Sequence, residues 1–319
     1  MTKRIAILGA TSHIAKGLIV LFDRSGEFDL TLFARNNESV TNFLKTENCK
    51  PYRVLDDFAQ LPVESWDVVI NCIVQRDPSD LSKPFDDSLF RTAEYFDNLV
   101  VDSLLRNPNR LYINISSGAA YGGEFTAPIT SDQQAVFPIN DVTRSEYYQA
   151  VKLYSEAKHR SMQSLNIVDI RVFAYFSRFI DLSSPYLLAD MISCVRMGKV
   201  FETGNRDIVR DYTHPDDLYQ MILACLSKPP INAVFDQYSK APIGKFELLE
   251  LFKREFGLEY RVVETPPGPP PRGNKPIYCS ENRTAEKIGF MPKYTSAETV
   301  LSETRLLLSI PSPSGRGLG

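Results

Sequence analysis

Histidine is scarce in this 319-residue chain: there are three, and no two stand in HxH or HxxxH spacing. That argues against a histidine-built metal centre, and no metal is expected. The five cysteines (49, 72, 194, 225 and 279) are odd in number, scattered and free of any CxxC pair. They suit reduced thiols in a cytoplasm better than disulfides or structural zinc. No apolar run approaches the roughly 20 residues that span a bilayer. Met-Thr-Lys-Arg leads into a strand-like segment rather than a signal peptide, so no membrane partner is expected. A net charge of -3 leaves no basic excess to neutralise phosphates, which argues against a nucleic-acid partner. What remains is ordinary for a cytosolic α/β protein, 43% hydrophobic and 24% charged residues, in a chain long enough for one large domain or two.

Short apolar runs alternate with amphipathic stretches through the first two thirds. Strands are predicted over 4–8, 30–34, 52–55, 67–72, 110–115 and 167–173, and helices over 14–23, 39–45, 85–106 and 143–165. Continuous hydrophobicity, as in Val68-Val69-Ile70, marks strands buried on both faces, and such strands separated by helices form a doubly wound parallel sheet. Such sheets bind ligands at the carboxyl ends of their strands. Beyond about Ala174 the elements shorten. Thr265 to Pro276 is too rich in proline for a helix and reads as an extended loop, and the last residues carry no pattern.

The first strand runs straight into Gly9, and a helix is expected from Ser12 or His13. A glycine turn there lets backbone N–H groups and the positive helix end meet a pyrophosphate. Ser12 and Ala15 stand where second and third glycines are usual; serine can cap the helix and alanine is the smallest substitute. A plain strand–turn–helix would use the same residues. At the end of the second strand stands Arg35, with no carboxylate before Glu38. NAD sites place an acidic residue there for the ribose, whereas an arginine suits a 2′-phosphate, which points to NADP(H).

Two Tyr-xxx-Lys pairs occur, Tyr148/Lys152 and Tyr154/Lys158. Residues four apart share a helix face, so either lysine could favour ionisation of its tyrosine's phenol. Upstream, Ser116 and Ser117 end a predicted parallel strand, where a hydroxyl could hold a carbonyl or simply cap a turn.

In this order the segments GATSHIA, WDVVINC, INISSGAAYG and YYQAVKLYSE resemble an extended short-chain dehydrogenase/reductase, in the branch that modifies nucleotide-linked sugars. The resemblance implies a Rossmann fold with a smaller C-terminal substrate-binding domain. Residues 1–174 would form the cofactor unit, with 205–237 returning to it. Residues 175–204 and 238–308 would bind substrate, and 309–319 would be a disordered tail. Glu156 follows Lys152 at the family's offset, which selects Tyr148 and Lys152. The hydroxyl four residues before Tyr121 selects Ser117. The implied cofactor contacts are Gly9, Thr11, Ser12, His13, Ile14, Arg35, Asp57 and Cys72, together with Tyr148 and Lys152. Arg210 would hold the substrate's diphosphate beside Ser117. Relatives pair as homodimers through the helices over 85–106 and 143–165. The chain departs from the family at Ala174, where asparagine is frequent, at positions 12 and 15, and in a long Ser117–Tyr148 linker.

Three reactions belong to this branch: ketone reduction, epimerisation through a ketone and 4,6-dehydration. Dehydratases carry Asp-Glu after the catalytic hydroxyl, and Gly118-Ala119 cannot replace them. Arg35 and the form of INCIVQRDPSD favour a reductase, so the expected reaction is NADPH-dependent reduction of a nucleotide-linked 4-keto-6-deoxyhexose. An NAD(P)-dependent 4-epimerase is the alternative. Reduction of a small non-nucleotide ketone or aldehyde and a non-catalytic NADP(H)-binding sensor or assembly protein are further ones.

Overall fold

The computed structural model describes residues 2–73, 88–122, 125–264 and 275–309. The first half alternates β1 (Lys3–Leu8), α1 (His13–Ser25), β2 (Phe28–Phe33), α2 (Asn37–Thr46), β3 (Arg53–Leu55), β4 (Val68–Asn71), α3 (Ser88–Arg106), β5 (Leu111–Ser117), α4 (Tyr147–Ser161) and β6 (Asn166–Val172). Then follow β7 (Ala174–Tyr175), α5 (Leu187–Met197), β8 (Phe201–Thr203), β9 (Val209–Arg210), β10 (Tyr212–Thr213), α6 (Pro215–Leu226) and β11 (Asn232–Gln237). The last are β12 (Ile243–Gly244), α7 (Lys245–Phe256), β13 (Tyr260–Val262), β14 (Ile277–Tyr278) and α8 (Ser296–Ser309). Seven strands form one sheet in the order β11-β6-β5-β4-β1-β2-β3, every neighbouring pair parallel. This is the doubly wound Rossmann arrangement, and its order reverses between β1 and β4.

Strand alternation sends side chains to both faces. Ile5 and Ile7 of β1 join a core with α1 and α6, whereas Ala6 and Leu8 join a second with Val100, Val101 and Leu104 of α3. A third core packs α5, α7 and α8 around Phe176, Phe201 and Phe252. The strand β11 returns to the main sheet beside β6, while β9 lies between β12 and β14 in a separate three-stranded sheet.

The predicted segments match the observed elements to within a few residues, and the shifts have local causes. The Asn36 side chain accepts the Ser39 N–H, so α2 begins at Asn37 rather than Ser39. The helix predicted over 143–165 is shorter at both ends. Thr143 and Glu146 form a capping box that opens with a 3-10 turn. At the other end the amide of Asn232 donates to the carbonyls of His159, Met162 and Leu165, holding the chain off the helical path. Residues 85–87 of the predicted third helix, 265–274 of the proline-rich segment and the tail from 310 lie outside the described residues.

Candidate active site

Gly9 turns the chain sharply after β1 with φ +73°, and a Cβ there would lie 2.8 Å from the Cys72 carbonyl oxygen. Both the backbone angle and the close approach require glycine. Ser12 caps α1 by accepting the Ala15 N–H, as the sequence suggested. Among the described residues, the N–H groups of Thr11, His13 and Ile14 meet no acceptor. Three such donors at a helix N-terminus that carries no acidic residue fit the phosphates of a dinucleotide. Ala15 is fully buried against the sheet, the place where a larger side chain would push α1 away.

The imidazole of His13 turns away from the loop. Its Nε2 lies 3.2 Å from the Ser177 N–H, and its ring meets Tyr175 edge-on. Burial pulls its pKa down to about 4, so it is neutral near pH 7. Cys72 sits just past β4 across the reversal point from Gly9, and burial pushes its thiol up to about 12. Arg35 is exposed just past β2. Asp57 lies beyond β3 and caps a short 3-10 helix by accepting the Ala59 N–H. The sequence-selected cofactor residues thus line the carboxyl ends of β1 to β4, with Arg35 and Asp57 on one flank.

The two serines at the end of β5 separate by strand alternation. Ser116 faces α4 and donates to Glu156 at 2.6 Å. Glu156 in turn binds Arg171, through Nε at 3.0 Å and Nη2 at 2.5 Å. Ser117 faces the other way, caps the turn Gly118–Tyr121 and lies 3.2 Å from the Tyr278 hydroxyl. The turn itself packs against α4.

The two Tyr-xxx-Lys pairs are likewise distinguished. Lys152 is buried, its Nζ donates to the Ile115 carbonyl at 3.3 Å and lies 5.6 Å from the centre of the Tyr148 ring. Burial lowers its pKa to about 8, against the raising influence of Glu156. It is therefore a cation at pH 7 with little excess margin. Lys158 instead donates to Asp97 and Asn98 on α3, both at 2.6 Å, and Tyr154 is 48% exposed. Of the two pairs, Tyr148/Lys152 is the one that reaches β5, through the Lys152 contact with Ile115, whereas Tyr154 and Lys158 turn to α3.

Arg210 pairs in register with Tyr278, and its Nη1 donates to the carbonyls of Val209 and Lys275. Tyr278 lies within electrostatic reach of both Arg210 and Tyr148, so the small sheet is joined to the serine and the tyrosine by one phenol. Sequence reasoning did not single out Tyr278, because β14 is two residues long and has no periodicity. It also passed over Arg171 and Asp236. Asp236 is buried, accepts from Tyr121 and Ser280 and lies 3.9 Å from Arg171; burial lifts its carboxyl to about 6. An aromatic cluster of Tyr121, Phe125, Phe173 and Tyr278 closes the serine's side of the site.

Comparison with known proteins agrees with this fold. The chain aligns over 97% of its length with UDP-glucuronic acid 4-epimerase from Bacillus cereus, solved with UDP-glucuronic acid and NAD; the alignment covers 100% of that chain at 15% identity and a TM-score of 0.76. For UDP-glucose 4-epimerase from Thermotoga maritima the coverage is 96% and 99%, with 15% identity and a TM-score of 0.78. For dTDP-glucose 4,6-dehydratase from Bacillus anthracis, solved with NAD, it is 97% and 97%, with 16% identity and a TM-score of 0.75. At such identities these likenesses establish the fold. No curated protein sequence matches the chain. Residues 5–238, however, match the NAD dependent epimerase/dehydratase family, and the chain belongs to that family.

Proposed function

We propose that the chain is a nicotinamide-dependent oxidoreductase acting at C4 of a nucleotide-linked sugar, and that it reduces a 4-keto-6-deoxyhexose with NADPH. The observation that carries the chemistry is the buried, cationic Lys152 set against the end of β5 and beside Tyr148, with Ser117 two residues on and linked to the same region through Tyr278. A nicotinamide cofactor, when bound, would supply the hydride that the keto carbon needs. Tyr148 gives its phenolic proton to the carbonyl oxygen. The Lys152 ammonium favours the phenolate left behind and binds the nicotinamide ribose. Ser117 orients the carbonyl by a hydrogen bond, and Arg210 pairs with the diphosphate. Gly9, Thr11, Ser12, His13, Ile14, Asp57 and Cys72 would hold the rest of the cofactor.

Dehydration is disfavoured on steric as well as chemical grounds. A Cβ at Gly118 would lie 2.5 Å from the Phe173 ring, so no acidic side chain fits beside Ser117 without moving that ring. Arg35 favours NADP(H), since it is exposed where a 2′-phosphate would lie. A second reading, 4-epimerisation with NAD, is supported by the structural neighbours, several of which are UDP-sugar 4-epimerases. The homodimer remains part of the proposal, supported by Phe90, Tyr95 and Leu105 of α3 and Tyr154 of α4, all exposed on the two helices concerned. No helix among the described residues is long and apolar enough to cross a membrane. The five unpaired thiols support a cytoplasmic setting.

The test is a panel of nucleotide-linked 4-ketosugars and UDP-hexoses, each with NADPH or NADH, following cofactor oxidation and sugar configuration. Reduction with NADPH is expected, with Arg35→Ala weakening NADPH binding about 10-fold and leaving NADH unchanged. Interconversion of C4 epimers without net cofactor oxidation would establish the second reading instead.

A further inference from the structure

The serine that faces the site has one hydroxyl proton, yet the proposed reaction asks it to serve two oxygen states. Ser117 Oγ accepts the Ala119 N–H at 3.2 Å, and its other hydrogen-bond partner among the described residues is the Tyr278 hydroxyl, also at 3.2 Å. Tyr278 is held from every side. Its strand pairs with β9, its ring packs on Phe125 at 4.8 Å and Phe173 at 5.0 Å, and the Lys275 ammonium lies 5.0 Å from its centre. The phenol has little room to leave the serine.

We propose that Tyr278 is a positioning residue that sets the direction of the Ser117 hydroxyl. This inference rests on the reading of Ser117, Tyr148 and Lys152 given above. When C4 is a ketone, Ser117 must donate to it; Tyr278 then donates to Ser117, and the two O–H bonds run in series toward the substrate. When C4 is an alcohol, Ser117 accepts from it and turns its own proton to the Tyr278 oxygen. No proton leaves either residue and no covalent bond changes. Each hydroxyl only rotates, and hydrogen bonds in series reinforce one another in a buried site. Burial keeps the Tyr278 phenol well above its ordinary pKa, so it remains a neutral hydroxyl able to play both parts. Without its hydroxyl, Ser117 in the alcohol state has no acceptor among the described residues, a cost borne by a group that is 7% exposed.

The test is a double-mutant cycle of Tyr278→Phe and Ser117→Ala in the full chain, with NADPH and whichever nucleotide-linked 4-ketosugar the panel shows to be turned over. Tyr278→Phe keeps the ring and its packing, and thermal melting and NADPH binding are expected to match the parent. Its kcat should fall about 10-fold with KM within about 3-fold, because one hydrogen bond is lost from the reacting state. Ser117→Ala should fall about 100-fold, and adding Tyr278→Phe to it should cost nothing further, since the tyrosine acts through the serine. An unchanged kcat in Tyr278→Phe, or a full further 10-fold loss on top of Ser117→Ala, overturns the inference while the reading of the site stands. A wild-type chain that turns over none of the panel, or a fully active Tyr148→Phe variant, overturns that reading and this inference with it.

Discussion

Where β5 and β6 cross the central sheet, its two buried faces differ in character. Toward α1 and α6, β5 and β6 present Leu111, Ile113, Ile115, Val168, Ile170 and Val172, and the layer is hydrocarbon. Toward α3 and α4 the same strands present Tyr112, Asn114, Ser116, Asp169 and Arg171, all buried. There the contacts are ionic. His159 of α4 meets Asp97 at 2.8 Å and Asp169 at 2.9 Å, Tyr112 donates to Asp97 and Asn114 to Asp169, and Glu156 binds Arg171. An apolar face tolerates sliding and rotation at modest cost, because dispersion and burial have no direction. A face of paired charges admits one register, since any shift strands a buried ion. The helix carrying Tyr148 and Lys152 is the one held by the directional face, which suits the role proposed for them, meeting a substrate oxygen at a set distance.

The largest effect expected on this comparison separates the two sides of α4. Tyr148→Phe should lower turnover about 1,000-fold through loss of the proton donor, while Tyr154→Phe retains full activity. Initial rates decide it, and equal losses in both variants would remove the distinction. The next concerns the two faces of β6. Glu156→Gln leaves Arg171 buried beside an uncharged amide and should cost roughly 3 kcal/mol in urea unfolding. Ile170→Val, on the hydrocarbon face, should cost about 1 kcal/mol. Equal costs would mean that the ionic face is no more specific than the apolar one.

The smallest expected effect is a slope with pH. Burial alone would lower the His159 pKa, but hydrogen bonds to Asp169 and Asp97 outweigh it and lift the value from 6.5 to about 9. The folded state therefore favours the protonated ring. The stabilisation is complete below pH 6.5 and is lost as the pH rises through 9. Lys152 has the opposite sign, but its contribution changes only above about pH 8, where its folded form begins to lose its proton. His13 and His214, both lowered to about 4 by burial, add a smaller rise just above pH 6.5 as their unfolded forms lose protons, so between pH 7 and 8 the melting temperature should fall in the parent chain and should not fall in His159→Gln. A level parent curve would contradict the paired-imidazolium description.

Much of the fold was legible because parallel strands buried on both faces leave short apolar runs, and Gly9 and Ser12 mark the turn between the first strand and helix. The ionic face was less so. In β6 the order Ile-Val-Asp-Ile-Arg-Val alternates as a strand with one solvated side would, and only α4 lying over Asp169 and Arg171 makes both sides interior. The choice between tyrosines could be made by resemblance but not by spacing. Positions 148 and 154 are six residues apart, so they lie about 240° around the helix from each other, and spacing cannot say which side meets β5.

Local sequence settles matters of short range: the alternation of strands and helices, the glycine turn, the serine cap and the placing of each lysine one helical turn beyond its tyrosine. Each depends on backbone preference and on neighbours within a few residues. Which serine faces the site, which tyrosine accompanies it and what becomes of Arg171 depend on how whole elements stack. Tyr278 is the clearest case, for it reaches Ser117 across 161 residues of chain from a two-residue strand whose position is set by its pairing with β9 and by the Ile277 N–H bond to the Phe125 carbonyl. Contacts of that separation form only when the sheet, the helices and the small strands have been assembled.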